Sequence, residues 1–166
     1  MSISVLISAY INCTKDNIEK ALNSIFHEQV LKPDQIVLVL DGPVGDSLYE
    51  FVLLFQKSVE CEMIIHPIQK SKGFGNALNE GLKLCTGEYI ARMDSDDISF
   101  PRRFEKQINL FNKWTELDAL GTGAIIIDEV GNVKAKKKFP SNIIINIVGN
   151  IMIELNNLFL NSTDIR

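Results

Sequence analysis

The chain has 166 residues, 46% of them hydrophobic and 23% charged, with a formal net charge of −4. That is length for one domain with a sizeable core, too apolar for a disordered segment, and without a general pull toward nucleic acid. Cys13, Cys61 and Cys85 are widely spaced and form no C-x-x-C pair, so neither a disulfide framework nor a zinc site is indicated, and a reducing cytoplasm is the expected compartment. The N-terminus enters a strand-like run directly, with no basic flank and apolar h-region. The Ile-rich stretch from Ile143 to Ile153 is interrupted by Asn146, Gly149 and Asn150, short of the roughly 20 apolar residues of a membrane span. Any membrane association is therefore expected to be peripheral, at the inner face of the cell membrane.

In chain order, Ile3-Ser4-Val5-Leu6-Ile7-Ser8 is β-branched and apolar, as a strand buried on both faces should be. After a loop with Tyr10 and Asn12, Asp16 and Glu19 read as a capping box before a helix burying Ile18, Ala21, Leu22, Ile25 and Phe26. Pro33-Asp34 turns the chain into a second strand, Gln35 to Leu40, which stops at Asp41-Gly42-Pro43. Leu48, Phe51, Val52 and Phe55 recur at helical spacing. A third strand, Met63-Ile64-Ile65, precedes the loop Lys70 to Gly75 and a helix with apolar positions Leu78, Leu82 and Cys85, for which Gly87 is the expected stop. A fourth strand, Tyr89 to Met93, leads to a helix opened by Pro101 that buries Phe104, Ile108 and Phe111. Leu120 to Gly123 and Ala124 to Ile127 resume strand character, and Glu129-Val130-Gly131-Asn132 is the expected turn of a hairpin into Val133 and the lysines Lys134, Lys136, Lys137 and Lys138. Those lysines read first as a solvated strand face and second as a contact for anionic lipid or substrate. From Asn142, Ile and Asn dominate, periodicity is poor, and only a weakly signalled helix is expected.

Four rounds of strand and helix with apolar strands predict an α/β fold, an open, doubly wound, mostly parallel sheet with helices on both faces and a C-terminal β-hairpin. Ligands in such sheets sit beyond the carboxyl ends of the strands. That rule brings Ala9-Tyr10, Asp41 and the stretch Arg92-Met93-Asp94-Ser95-Asp96-Asp97 to one crevice.

Three carboxylates in four positions repel one another unless something positive sits among them. A hard divalent cation, Mg2+ or Mn2+, does this well and keeps water and phosphate oxygens as further ligands. The competing reading is that Asp96, Asp97 and Ser99 decorate a helix start, although capping needs one or two such residues and not three. Asp96, with Asp97, is the expected metal ligand, with the metal bridging and neutralising a diphosphate. Asp94, two residues earlier on an extended strand, would point alongside Asp96 and accept from ribose hydroxyls. Asp41 is either an acceptor for the N3–H of a uracil-like base or a turn residue before Gly42-Pro43. Lys72 is a solvated loop lysine or a phosphate contact, and Tyr10 packs on a base or caps the core. Gly73-x-Gly75 is too weak to be a phosphate cradle, and His27 and His66 read as structural.

Taken together, Ile3 to Tyr10, Leu38-Val39-Leu40-Asp41-Gly42-Pro43, Gly75 to Leu82, Gly87 to Asp97 and Pro101-Arg102-Arg103 closely resemble the family 2 glycosyltransferases of GT-A fold, most of all bacterial members that build amylovoran-type exopolysaccharide and O-antigen. The resemblance covers roughly residues 1–140, expected to be a nucleotide-sugar-binding domain; residues 141–166 are expected to begin an incomplete acceptor region. It implies an inverting, metal-dependent transfer of a sugar from a nucleoside diphosphate sugar, commonly UDP-linked, to a saccharide or lipid-linked acceptor, with no nucleic acid partner. It also implies that the first-strand loop (Ala9, Tyr10) and Asp41 hold the base, and that Asp94, Asp96 and Asp97 hold ribose and metal. Such an enzyme needs a carboxylate base at the acceptor hydroxyl. Family members usually supply it downstream of the metal cluster, yet Glu154 and Asp164 are the only acids in the tail and nothing marks either as the base. The alternative is therefore a truncated, non-catalytic donor-binding remnant. A nucleotidyltransferase would want a Gly-rich, Arg-containing loop after the first strand, where Ser8-Ala9-Tyr10-Ile11-Asn12 stands instead.

Overall fold

A computed structural model describes residues 1–128 and 130–137, and the backbone of 151–154. Glu129 of the expected hairpin turn, Lys138, the stretch 139–150 and Asp164 lie outside the described residues. The elements run β1 (Ile3–Tyr10), α1 (Lys15–Ile25), β2 (Gln35–Asp41), α2 (Asp46–Ser58), β3 (Glu62–Ile68), α3 (Phe74–Leu82), β4 (Tyr89–Asp94), α4 (Arg103–Lys113), β5 (Ala119–Gly121), β6 (Ala124–Ile127), β7 (Val133–Lys137) and β8 (Ile151–Glu154). The main sheet has the order β3-β2-β1-β4-β8-β5, and β6 and β7 form a separate antiparallel hairpin. From β3 to β4 the strands are parallel, and β8 pairs antiparallel with both β4 and β5. The chain steps one way from β1 to β3, then crosses back to β4 on the other side of β1. The strand order therefore reverses between β1 and β4, where an open α/β sheet presents its crevice.

Side-chain alternation divides the core. Val5, Ile7, Ala9, Ile36, Leu38, Leu40, Ala91 and Met93 meet the apolar faces of α1, α2 and α4, including Ile18, Leu22, Leu48, Val52, Phe104 and Ile108. Leu6, Val37, Val39 and Ile90 face the other way, onto α3. That second layer is thin because α3 comes in on small residues: Ala77 and Gly81 are its buried positions, Leu78 is partly buried and Leu82 is exposed. Of the apolar positions expected there, Leu78 and Cys85 pack against this layer and Leu82 is exposed, and a Cβ at Gly81 would lie 2.4 Å from Leu6 Cδ1 and 2.7 Å from Val39 Cγ2.

Several boundaries differ from expectation. Thr14 caps α1, its Oγ1 accepting from the Asn17 amide at 3.2 Å; Asp16 falls inside the first turn, where its charge suits the dipole, and Glu19 pairs with Lys15 at 3.7 Å. Pro101 lies in a turn ahead of α4, which begins at Arg103, so Asp96 and Asp97 stand too far upstream to cap it. Gly87 does not end α3, which stops at Leu82. Its amide donates to Ser4 Oγ at 2.8 Å, and a Cβ there would sit 2.5 Å from the Ser4 amide nitrogen, so glycine is required by close backbone approach. Where a weak helix was expected, residues 151–154 form a strand inside the sheet.

These contacts predict opposite outcomes for two glycines. Gly87→Ala forces backbone apart at the β1–β4 seam and should lower stability by about 1–3 kcal/mol. Gly75→Ala, in α3 with nothing within 4 Å of its added methyl, should raise it by roughly 0.5–1 kcal/mol. Urea unfolding midpoints check both.

Candidate active site

The sheet register gathers the polar residues. Ser8 lies beside Asp94 and Tyr10 beside Asp41, so Ser8, Tyr10, Asp41, Arg92 and Asp94 all belong to the α3 face at the carboxyl ends of their strands. Asp41 and Asp94 are two strands apart, about 10 Å across the sheet and about 7 Å along it. Ala9 lies on the opposite face, fully buried in the larger core, so only its backbone borders the crevice. Tyr10 is half exposed and does not cap the core.

Asp41 is 6% exposed. Its Oδ2 accepts from Ser71 Oγ at 2.8 Å, while its Oδ1 is buried without a hydrogen-bond partner among the described residues. Gly42, at φ +90°, bends the chain out of β2 beneath Ser71, and the Gly73 amide donates to Ser71 Oγ at 3.3 Å. The loop from Lys70 to Gly73 is thereby tied to the end of β2. Lys72, at its exposed tip, makes no hydrogen bond or salt bridge among the described residues. A buried carboxylate oxygen with no donor carries a desolvation cost that a bound N–H or O–H group would relieve.

Two arginines hold β4 from opposite faces. On the α3 side, Arg92 pairs through Nη2 with Asp94 Oδ1, and its guanidinium lies 4.9 Å from the ring centre of Phe74, the first residue of α3. On the α4 side, the buried Arg103 donates from Nη2 to the Arg92 carbonyl at 2.9 Å and from Nε to Gln107 Oε1 at 3.1 Å. Burial pushes the Arg103 guanidinium down to about 10, and Asp97 and Asp94 oppose that shift. The repulsion within the acidic cluster is thus met in part by the protein's own cations, where the sequence pointed to a metal alone. Neither arginine was singled out from the sequence as a site residue. The spacing of Arg92 and Asp94, two apart on one strand face, was the available signal.

Beyond β4 the chain runs through a turn and a pinned segment. Ser95 and Ser99 are buried. The Ser99 amide donates to Ser24 Oγ at 2.9 Å, and Gln29 Nε2 donates to the Ser24 and Phe100 carbonyls and to Ser99 Oγ. Ser99 is an anchor to the end of α1, not a helix decoration. Cys13, in the β1–α1 loop, lies against the same turn: burial pushes its thiol up, its hydrogen bond with Ser95 opposes this and Asp96 adds to it. Asp96 itself is exposed and makes no hydrogen bond or salt bridge among the described residues.

Among the described residues no three His, Cys, Asp or Glu side chains are grouped to hold a metal ion. A hard ion such as Mg2+ can take one or two carboxylates and complete its shell with phosphate oxygens and water. His27 packs edge-on between Phe26 and Phe55, and His66 lies within β3. Glu154 is paired with Tyr89 at the amino end of β4, five positions and about 16 Å along the strand from Asp94.

The profile of Glycosyl transferase family 2 matches residues 4–164. The chain belongs to that family. An amylovoran biosynthesis glycosyltransferase of Erwinia amylovora, AmsE, is 42% identical over 139 residues, covering 84% of this chain and 51% of the relative. A putative glycosyltransferase of Bacillus subtilis, EpsE, is 33% identical over 141 residues, covering 84% and 48%. The chain therefore spans about half the length of these family 2 relatives. Among solved structures, Staphylococcus aureus TarS 1–349 in complex with UDP superposes with a TM-score of 0.65 at 20% identity, covering 81% of this chain and 38% of that one. The mannosyltransferase PcManGT from Pyrobaculum calidifontis, in complex with GDP-Man and Mn2+, gives 0.63 at 21% identity, covering 72% and 34%. These likenesses show the GT-A fold. No helix among the described residues is long and apolar enough to cross a membrane.

The two kinds of charged residue should separate in stability measurements. Asp96→Ala, at an exposed and unbonded side chain, should change unfolding free energy by less than about 0.5 kcal/mol. Arg103→Met leaves the Arg92 carbonyl and Gln107 without their donor and should lower it by roughly 2–4 kcal/mol. Chemical denaturation of the two variants beside the parent chain checks the contrast.

Proposed function

We propose that this chain is the donor-binding part of an inverting glycosyltransferase that uses a nucleoside diphosphate sugar, UDP-linked, with Mg2+ or Mn2+, and a saccharide or lipid-linked acceptor met at the membrane surface. Residues 1–140 form the nucleotide-sugar domain, and the acceptor region starts beyond them. The observation that carries the reading is the buried, unpartnered Oδ1 of Asp41 at the end of β2, on the face shared with Tyr10 and Asp94. A uracil N3–H donated to that oxygen would remove its desolvation cost. Tyr10, half exposed beside Asp41, offers a ring for the base to pack on. From there a nucleoside spans to Asp94, which accepts from ribose hydroxyls while Arg92 fixes its orientation.

The diphosphate then falls over the turn after β4. Asp96, with Asp97, would hold the divalent ion, and Lys72 on its tied loop would meet a phosphate oxygen. The ion, when bound, neutralises the charge that develops on the leaving diphosphate. The chain's own contribution is to fix base, ribose and diphosphate so that the anomeric carbon faces the acceptor side of the crevice. The acceptor hydroxyl attacks that carbon, the bond to the diphosphate breaks, and the hydroxyl proton passes to a carboxylate base supplied by the acceptor region. The relatives support the reaction class: one similar protein of Escherichia coli, 32% identical over 110 residues, is a UDP-Gal:alpha-D-GlcNAc-diphosphoundecaprenol beta-1,3-galactosyltransferase.

Titration calorimetry with UDP and Mn2+ tests the binding half. The parent chain should bind, Asp96→Ala should lose the Mn2+ dependence, and Asp41→Asn should weaken UDP by roughly tenfold or more, because an amide accepts from N3–H less strongly than a carboxylate does. UDP binding that ignores both substitutions would overturn the assignment. Release of UDP from UDP-sugar in the presence of acceptor, above an Asp96→Asn background, tests turnover. Binding without release would leave a donor-binding module.

A further inference from the structure

The end of β2 carries a hydrogen-bond relay whose direction is fixed by the chemistry of its members. Ile68 is the register partner of Asp41, and the Gly42 amide donates to the Ile68 carbonyl at 3.0 Å. The chain leaving β3 therefore starts beside Asp41 and needs only Gln69 and Lys70 to bring Ser71 over the strand end. There Ser71 lies on the bare backbone of Gly42, where a Cβ would be 3.5 Å from both the Ser71 Cβ and the Ser71 amide nitrogen. The Gly73 amide donates to Ser71 Oγ at 3.3 Å, and Ser71 Oγ donates to Asp41 Oδ2 at 2.8 Å. An amide N–H can only donate and a carboxylate can only accept, so the hydroxyl between them has one orientation.

The relay acts on a soft torsion. The χ2 of an aspartate is a broad, roughly two-fold rotor, so the plane of its carboxylate is set by its partners more than by the torsion itself. Among the described residues the side-chain hydrogen bond to Asp41 comes from Ser71, and Oδ1 is left buried without one. Ser71 is itself exposed, so truncating it opens no cavity in the core. What truncation removes is the fixed donor, and a water molecule in its place would be a free rotor.

We infer that Ser71 is a positioning residue of the donor site: held by Gly73, it fixes the plane of the Asp41 carboxylate so that Oδ1 meets a ring N–H in line, and it thereby sharpens the preference for a base that carries one. The inference rests on the reading of Asp41 as the acceptor for the base. It goes beyond that reading in assigning the alignment to a loop residue whose hydroxyl proton is already committed to Asp41 and is therefore not offered to the ligand.

Titration calorimetry with two ligands tests it, UDP and its N3-methyl analogue, each with Mn2+. The parent should prefer UDP by at least about tenfold, because methylation removes the N–H that Oδ1 would accept. Ser71→Ala should bind UDP about fivefold more weakly, the net contribution of one hydrogen bond, and bind N3-methyl-UDP within about twofold of the parent. Ser71→Thr keeps the hydroxyl and should return the parent's preference. A loop that had merely loosened would weaken both ligands alike. That result, unchanged UDP affinity in Ser71→Ala, or a Ser71→Thr variant that behaves like Ser71→Ala would overturn the inference while leaving Asp41 as the acceptor for the base. A parent that binds both ligands equally, or neither, would overturn the base assignment and this inference with it. Circular dichroism melting should show the variants folded; if Ser71→Ala is not, Ser71→Cys, of similar size but a weak donor, gives the same readout.

Discussion

Charge at the carboxyl end of β4 is what this architecture must accommodate, and it does so with guanidinium groups from both sides of one strand. Arg103 enters from the α4 layer, gives up full hydration, and donates to the β4 backbone at Arg92. Arg92 emerges on the opposite face, lies against Phe74 and pairs with Asp94. A buried ion pair contributes little net stability because desolvation offsets attraction, but removing one member is costly. The arrangement therefore fixes geometry more than it adds stability. It sets the orientation of Asp94 and the path of the chain into the following turn, and it leaves Asp96 exposed beyond the guanidinium groups.

The same logic orders the rest of the crevice. Parallel register places Ser8 beside Asp94 and Tyr10 beside Asp41, so residues far apart in sequence share one face without any dedicated scaffold. The larger core behind them is conventional aliphatic packing of three helices on the sheet. The α3 layer is different: it touches the sheet through Ala77 and Gly81, so the helix lies close. Its first turn begins right after the loop tied to Asp41, with Phe74 on Arg92. Asp41, through Ser71, and Arg92, the ion-pair partner of Asp94, through Phe74, thus both meet one short stretch, Ser71 to Phe74.

Much of this was legible in the sequence, because the signals there are local or periodic. Continuous aliphatic runs gave β1, β2 and β4, and helical spacing gave the buried faces of α1, α2 and α4. The strand-end rule brought Tyr10, Asp41 and Asp94 to one edge, while Ala9 went to the opposite face by simple alternation. What stayed hidden depends on tertiary contact. Gly87 looks like a helix stop until Ser4 is seen against it, and α3 reads by its leucines until its small residues are seen against the sheet. Thr14 outcompetes Asp16 because its extended backbone aims Oγ1 at the third following amide. The role of Arg103 required α4 to be placed over β4. The strand at 151–154 had no legible period, being four residues among asparagines.

That last strand bears on how the protein is made. β8 lies between β4 and β5 and is hydrogen-bonded to both, yet it is the final described element of the chain. The four parallel strands can assemble as soon as β4 has left the ribosome, whereas β5 gains its ladder only after residues 151–154 have been synthesised. Biogenesis of the sheet is thus split into an early half that carries the crevice and a late half whose closure waits on long-range pairing, the slower kind of event in folding.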